Sequence, residues 1–121
     1  MKAKITFILL CILSLSTAKA ADNRFTSAGS LYQSGKFSEA ASAYEDILKS
    51  GIESEALYFN LGNAYYKAGN LPRAILNYER AKLIDPDDKD VIYNLDLANS
   101  QTADRISPVG DFFLKTWMVG I

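Results

Sequence analysis

Apolar positions in the middle of the chain recur at spacings of three and four. Between Glu55 and Lys67 the residues Tyr58, Leu61, Gly62 and Tyr65 fall in that rhythm, which predicts a helix with one buried face. Gly69 follows, able to take the left-handed backbone that ends a helix, and Asn70 is placed to cap the next one. Pro72 then falls in a first turn, where its missing N–H is harmless. Ala74, Ile75, Tyr78, Ala81 and Lys82 carry a second helix towards Asp85-Pro86, where proline stops it. Small residues at Gly62, Ala74 and Ala81 allow two antiparallel helices to approach closely, with Tyr65 and Tyr78 filling the space beside them.

The pattern repeats along the chain. An offset of 34 residues places Phe25 on Phe59, Tyr32 on Tyr66, Gly35 on Gly69, Ala40 on Ala74, Tyr44 on Tyr78 and Glu45 on Glu79. A second shift places Phe59-Asn60-Leu61 on Tyr93-Asn94-Leu95 and Ala64 on Ala98. That period is the length of a helix-turn-helix unit.

Tyr58, Leu61, Gly62, Tyr65, Ala74, Tyr78, Ala81 and Pro86 sit at the eight signature positions of the tetratricopeptide repeat, with tyrosine in place of the first tryptophan. The central unit, about residues 55–88, resembles that family throughout. The unit before it, about 21–54, fits at Ala28, Leu31, Ala40 and Tyr44, with Gly35 and a helix from Phe37 to Leu48 in register. It departs at Ile47, where a small residue is expected, and at Gly51-Ile52, where proline is expected. A third unit supplies one helix, about 89–103, with Asp96 and Asn99 at positions where a full repeat would pack. A polar outer face suits a helix that caps the array. The expected fold is all-α: a helix-turn-helix solenoid of two repeats plus a capping helix over 21–103.

The first twenty residues read differently. Lys2 and Lys4 precede an apolar run from Ile5 to about Leu15, followed by Ala18-Lys19-Ala20. A charged start, a short apolar stretch and a small-residue motif predict a signal peptide over 1–20, cut after Ala20. The run is shorter than the ~20 residues a spanning helix needs. Export is therefore expected, to the periplasm. Cys11 lies inside the leader behind Leu10, so no lipoprotein motif precedes it. The remainder has neither cysteine nor histidine, which leaves packing rather than disulfides to stabilise it.

Removing the leader's three lysines from thirteen basic residues leaves ten against fourteen acidic ones, a net charge of −4. Scattered lysines on a mildly acidic domain leave no footprint for nucleic acid. Nucleophilic catalysis with histidine, and zinc or iron sites built from His and Cys, lack their residues. The glycines stand singly, never in a Gly-rich run, so no phosphate-loop motif is present. Asp85, Asp87, Asp88 and Asp90 lack the central glycine and terminal glutamate of a calcium loop, and read instead as a turn with helix-capping charge. An enzyme is not expected, and neither is a cofactor or a metal.

Beyond Ala103 the composition shifts. Ile106-Ser107-Pro108-Val109-Gly110 breaks the helix, and 111–121 is rich in Phe112, Phe113, Leu114, Trp117 and Met118. This tail has two open readings, an interfacial membrane segment or a strip folded back over the last helix. The chain stops at Ile121 within an apolar stretch, from which a further C-terminal region is expected. Together with the leader, the repeats and Asn94-Leu95-Asp96-Leu97-Ala98-Asn99, the run Asp104-Arg105-Ile106-Ser107-Pro108 with Phe112, Phe113, Leu114 and Trp117 resembles the E-type protein of the Bacteroides aerotolerance (Bat) operons. The resemblance implies repeats outside the inner membrane, attached to it in a longer form. It also implies companion proteins with von Willebrand A domains.

What remains for function is a surface. On the first helix of each repeat, positions one past the core stripe align at i, i+4 and i+7. In the central repeat these are Phe59, Asn63 and Tyr66, joined by Asn60 and Lys67; Phe25 and Tyr32 precede them, and Tyr93 and Asn94 follow. Stacked repeats place such residues on a concave binding face. Asparagine amides offer donor and acceptor to a peptide, and aromatic rings add area at low entropy cost. Phe59 and Tyr93 have a second reading, as packing between repeats. In family members that clamp a C-terminal carboxylate, the groove carries two asparagines with lysines and an arginine. Asn63 and Asn94 resemble the asparagines, but Phe59 stands at a lysine position, so no such clamp is expected. The function expected is a protein-binding adaptor of the cell envelope. The alternative is a self-associating homo-oligomer that stacks through its ends and aromatic tail.

Overall fold

The structure is a computed structural model that describes residues 23–103. The expectations placed on the leader, on Cys11 and on the aromatic tail therefore lie outside the described residues. Five helices account for most of the described chain: α1 (23–33), α2 (Phe37–Lys49), α3 (Glu55–Lys67), α4 (Leu71–Ile84) and α5 (89–103). The chain divides into two compact units at Glu53/Ser54, with α1 and α2 in one and α3, α4 and α5 in the other.

The helix ends follow from local chemistry. After α1, Gly35 has φ +79, the amide of Lys36 donates to the Leu31 carbonyl (2.9 Å), and that of Gly35 donates to Tyr32 (3.0 Å). Thirty-four residues on, Gly69 has φ +84, and Asn70 and Gly69 donate to Tyr65 (2.9 Å) and Tyr66 (3.1 Å) in the same arrangement. This paired closure satisfies carbonyls that the helix end would leave open, and the backbone it needs favours glycine. Ser54 Oγ accepts from the Leu57 amide (3.1 Å), and Asn70 Oδ1 accepts from Arg73 (3.3 Å), so α3 and α4 each begin on a side-chain cap. Asp88 Oδ1 accepts from the amides of Asp90 (2.9 Å) and Val91 (3.1 Å), which caps α5 and accounts for the aspartate cluster.

In the first unit Ala28, Ala40, Ala41, Tyr44 and Ile47 are buried. Phe25 meets Tyr44 and Tyr32 meets Phe37 edge to face, with centroids 5.6 and 5.2 Å apart. These contacts join α1 to α2, and aromatic pairs prefer that geometry.

In the second unit α3 packs on α4 through Leu57, Tyr58, Leu61, Gly62 and Tyr65 on one side and Ala74, Tyr78 and Ala81 on the other. The approach is closest at Gly62, where a Cβ would stand 2.7 Å from two atoms of the Tyr78 ring. Glycine is thus required there by packing, since its φ is ordinary. α5 buries Val91, Leu95 and Ala98, spaced four and three apart on one helical face. Its other side corrects the expectation of a polar cap. Asp96 and Asn99 are exposed as anticipated, but so are Tyr93 (68 %) and Leu97 (38 %), because three buried positions use up only a narrow stripe of the helix.

Candidate protein-binding face

The second unit brings most of the expected surface residues together. Phe59, Asn60, Asn63 and Tyr66 lie part-exposed along α3, beside its buried stripe, with Lys67 exposed at the end. α5 lies alongside. Asn94 donates through Nδ2 to Asn63 Oδ1 at 2.9 Å, and Gln101 donates through Nε2 to the Tyr66 hydroxyl at 2.6 Å. Both bonds advance along the two helices in the same order, so α3 and α5 run in the same direction with polar cross-links between them.

Asn63 is the centre of this network. The buried Tyr78 of α4 donates its hydroxyl to Asn63 Oδ1 at 2.6 Å, and its ring lies 6.1 Å from that of Phe59, tilted. One carbonyl oxygen thus ties three helices together. The role expected for Asn63 is changed by this: its oxygen serves the fold, and only its amide nitrogen is left for a partner. Phe59 likewise has one side committed to Tyr78. Tyr93, by contrast, is largely exposed, so packing does not account for it.

Phe25 and Tyr32 belong to the first unit, and both spend ring surface on the α1–α2 contact. Burial raises the hydroxyl pKa of Tyr32 above its usual value; it does the same for Tyr44, with a smaller contribution from Tyr32. Both stay neutral hydrogen-bonding groups in the physiological range. The first unit also carries an open depression lined by Asn23, Arg24, Ser27, Ala43 and Asp46. Its polar lining consists of exposed side chains.

Two residues of the network escape a reading of the sequence. Gln101 lies seven residues beyond Asn94, on the same face of α5, and that spacing was the available signal. Tyr78 sits at a signature core position, and nothing in that position says where its hydroxyl points.

Two cations of α4 sit against tyrosine rings. Arg73 lies over the Tyr65 ring at 5.6 Å and donates to its hydroxyl at 3.2 Å, while Arg80 lies over the Tyr58 ring at 5.8 Å. Lys67 is exposed at the end of α3, and Lys89 is exposed on α5 four residues before Tyr93. No group of three or more His, Cys, Asp or Glu among the described residues is placed to hold a metal ion. The face offers neutral amides, hydroxyls, aromatic rings and positive charge, groups suited to contact with a polypeptide.

A search of curated proteins found no match to the chain. A scan against family models matches residues 25–89, more than half of the 121-residue chain, to the family described as tetratricopeptide repeat. The matched stretch includes both glycine-closed turns and the α3–α4 packing around Gly62. Such repeats generally mediate protein–protein interaction and act as non-catalytic scaffolds. On this match, and on an all-α fold of repeated helix pairs, the chain belongs to the tetratricopeptide-repeat family.

Proposed function

We propose that this protein is an adaptor of the bacterial cell envelope that holds a partner protein on the α3–α5 face. The observation that carries the reading is the row of Phe59, Asn60, Asn63, Tyr66, Tyr93 and Asn94, part-exposed or exposed, in which hydrogen bonds hold Asn63, Tyr66 and Asn94 and a ring contact backs Phe59. Preorganised polar and aromatic groups bind without the cost of ordering loops. The leader-like first twenty residues support export, with the repeats facing the periplasm. Resemblance to the Bat E-type protein supports a narrower reading, an aerotolerance complex with von Willebrand A-domain membrane proteins as partners. Self-association is the second reading, favoured by the exposure of Leu76, Leu83, Ile84, Tyr93 and Leu97.

The test replaces Lys67 with a photo-crosslinking residue and uses envelope extract as prey. Asn60→Ala/Asn94→Ala is the control, and Asn63 is kept because its oxygen holds Tyr78. A single dominant adduct, lost in the control and reproduced with the purified partner, is the expected result. Adducts only with the chain itself, rising with its concentration in sedimentation, move the assignment to self-association. Equal capture by the control rules out the α3–α5 face.

A further inference from the structure

We propose that the outer face of α4 is a docking surface for an anionic lipid bilayer, on which Leu76 and Leu83 meet the acyl boundary while Arg73, Arg80 and Lys82 meet the headgroups. This lies beyond the adaptor reading, whose face is built on α3 and α5.

α4 buries Leu71, Ala74, Asn77, Tyr78 and Ala81. Opposite that stripe stand Leu76 and Leu83, two turns apart and in line along the helix, about 10 Å from one another. Leu83 is 82 % exposed, and Leu76 and Ile84 are about half exposed. Arg73 and Arg80, also two turns apart, flank this line on one side, and Lys82 lies on the other. All three cations are exposed. The two guanidiniums rest over the rings of Tyr65 and Tyr58, which keeps them beside the leucine line rather than across it.

The preceding repeat shows that the fold does not require such a face. Thirty-four residues earlier, on α2, Glu39 stands for Arg73, Ser42 for Leu76, Asp46 for Arg80 and Lys49 for Leu83. Both arginines are replaced by acids there and both leucines by polar residues. α4 carries three cations against one acid, Glu79, whereas α2 carries one cation against three acids. The aspartates that follow α4 serve other helices: Asp85 and Asp88 act on Glu55 of α3, and Asp88 caps α5.

An aliphatic line with cations on both flanks fits a partner that is apolar beneath and anionic above. A bilayer surface with acidic lipids has that layering, and long arginine and lysine side chains reach the headgroups while leucines sink below them. At 14 residues α4 is shorter than the ~20 a spanning helix needs, and no helix among the described residues is long and apolar enough to cross a membrane. The helix therefore lies on the surface. A second copy fits less well. Two-fold pairing uses the same patch on both partners and would bring Arg80 against its own counterpart.

The experiment places an environment-sensitive fluorophore on the full chain at Leu83→Cys, with Lys49→Cys as the comparison on α2. Both are made in a Cys11→Ser background, which removes the chain's one cysteine. Vesicles of phosphatidylcholine alone, or of equal parts phosphatidylcholine and phosphatidylglycerol, are added. On the anionic vesicles the label at 83 should shift to the blue and be quenched by lipids that carry a nitroxide on the acyl chain; the label at 49 should do neither. The lipid concentration for half the shift should rise about fivefold in Arg80→Gln and on the order of tenfold in Leu76→Ser. No shift at 83 overturns the inference, whether or not the chain sediments with the vesicles. An equal response at 49, or on phosphatidylcholine alone, also overturns it. So does a shift at 83 without vesicles that grows with protein concentration, which would assign the ridge to a second copy. The label reports position 83 itself, so binding through the leader or the aromatic tail does not produce the expected signal.

Discussion

Gly62→Ala tests the packing on which the second unit depends. An added Cβ would lie 2.7 Å from Cδ1 and Cε1 of Tyr78 and 3.2 Å from its Cγ, about 1 Å inside ordinary carbon contact for the closest pair. The ring has no easy retreat. Tyr78 is 1 % exposed, its hydroxyl is bonded to Asn63 at 2.6 Å, and its ring lies near that of Phe59. Overpacking of this kind costs about 1–3 kcal/mol, and the contact with three ring atoms argues for the upper half of that range. Alanine returns about 1 kcal/mol of helix propensity relative to glycine. The net expectation is a loss of about 1–2 kcal/mol, which for a domain of this size lowers Tm by roughly 4–8 °C per kcal/mol. Urea unfolding of the full chain should show a lower midpoint with an unchanged slope. In a Tyr78→Leu background the same substitution should change sign, because the obstructing ring is gone and the propensity gain remains. Gly29→Ala is the internal comparison: its Cβ would meet the Tyr44 hydroxyl at 3.6 Å, an ordinary contact, and should be neutral or stabilising. A Gly62→Ala protein as stable as the original, in the presence of Tyr78, would refute the close approach of α3 and α4.

Two further substitutions probe buried polar groups. Glu55 has one carboxylate oxygen shut off from solvent without a hydrogen-bond donor, and its pKa is raised by burial first, then by the charge of Asp88 and a shared hydrogen bond with it, then by Asp85. A raised acid pKa means that the folded state holds its proton longer than the unfolded state, so the penalty is absent below the ordinary value of 4.5 and grows as pH rises through the folded value. Glu55→Gln should therefore gain stability relative to the original chain between about pH 4 and pH 7; parallel stability curves over that interval would contradict the assignment. Asn77 is 2 % exposed and donates to the Arg73 carbonyl at 2.8 Å, yet its Oδ1 has no partner. Replacing it by leucine removes an unsatisfied acceptor at similar volume and should stabilise by about 1 kcal/mol, read as a higher urea midpoint; a loss of stability would show that the amide is satisfied by other means.

The repeat period, the α3 and α4 boundaries and the closing turns were legible in the chain because they are local properties. Apolar spacing sets which face of α3 is buried, and glycine at 69 with asparagine at 70 sets where one helix ends and the next begins. Asp88 could be read as a helix-capping charge for the same reason, its partners lying two and three residues away. The candidate face was legible only as a set of positions. Phe59, Asn60, Asn63, Tyr66, Tyr93 and Asn94 could be placed on α3 and α5 from periodicity, but Phe25 and Tyr32 are in the other unit and spend surface on packing there.

The chain alone determined the helices and the side of each that faces the core, since both depend on neighbours within one or two turns. Tertiary structure decided what the polar atoms do. Asn63 meets Tyr78 and Asn94 across 15 and 31 residues, and Gln101 meets Tyr66 across 35. Those meetings depend on how each helix is rotated about its axis, to within a fraction of a turn. Sequence spacing names the stripe but does not set that rotation. Packing of Gly62 against Tyr78 sets it for α3 and α4, and it leaves the Asn63 oxygen committed to the fold.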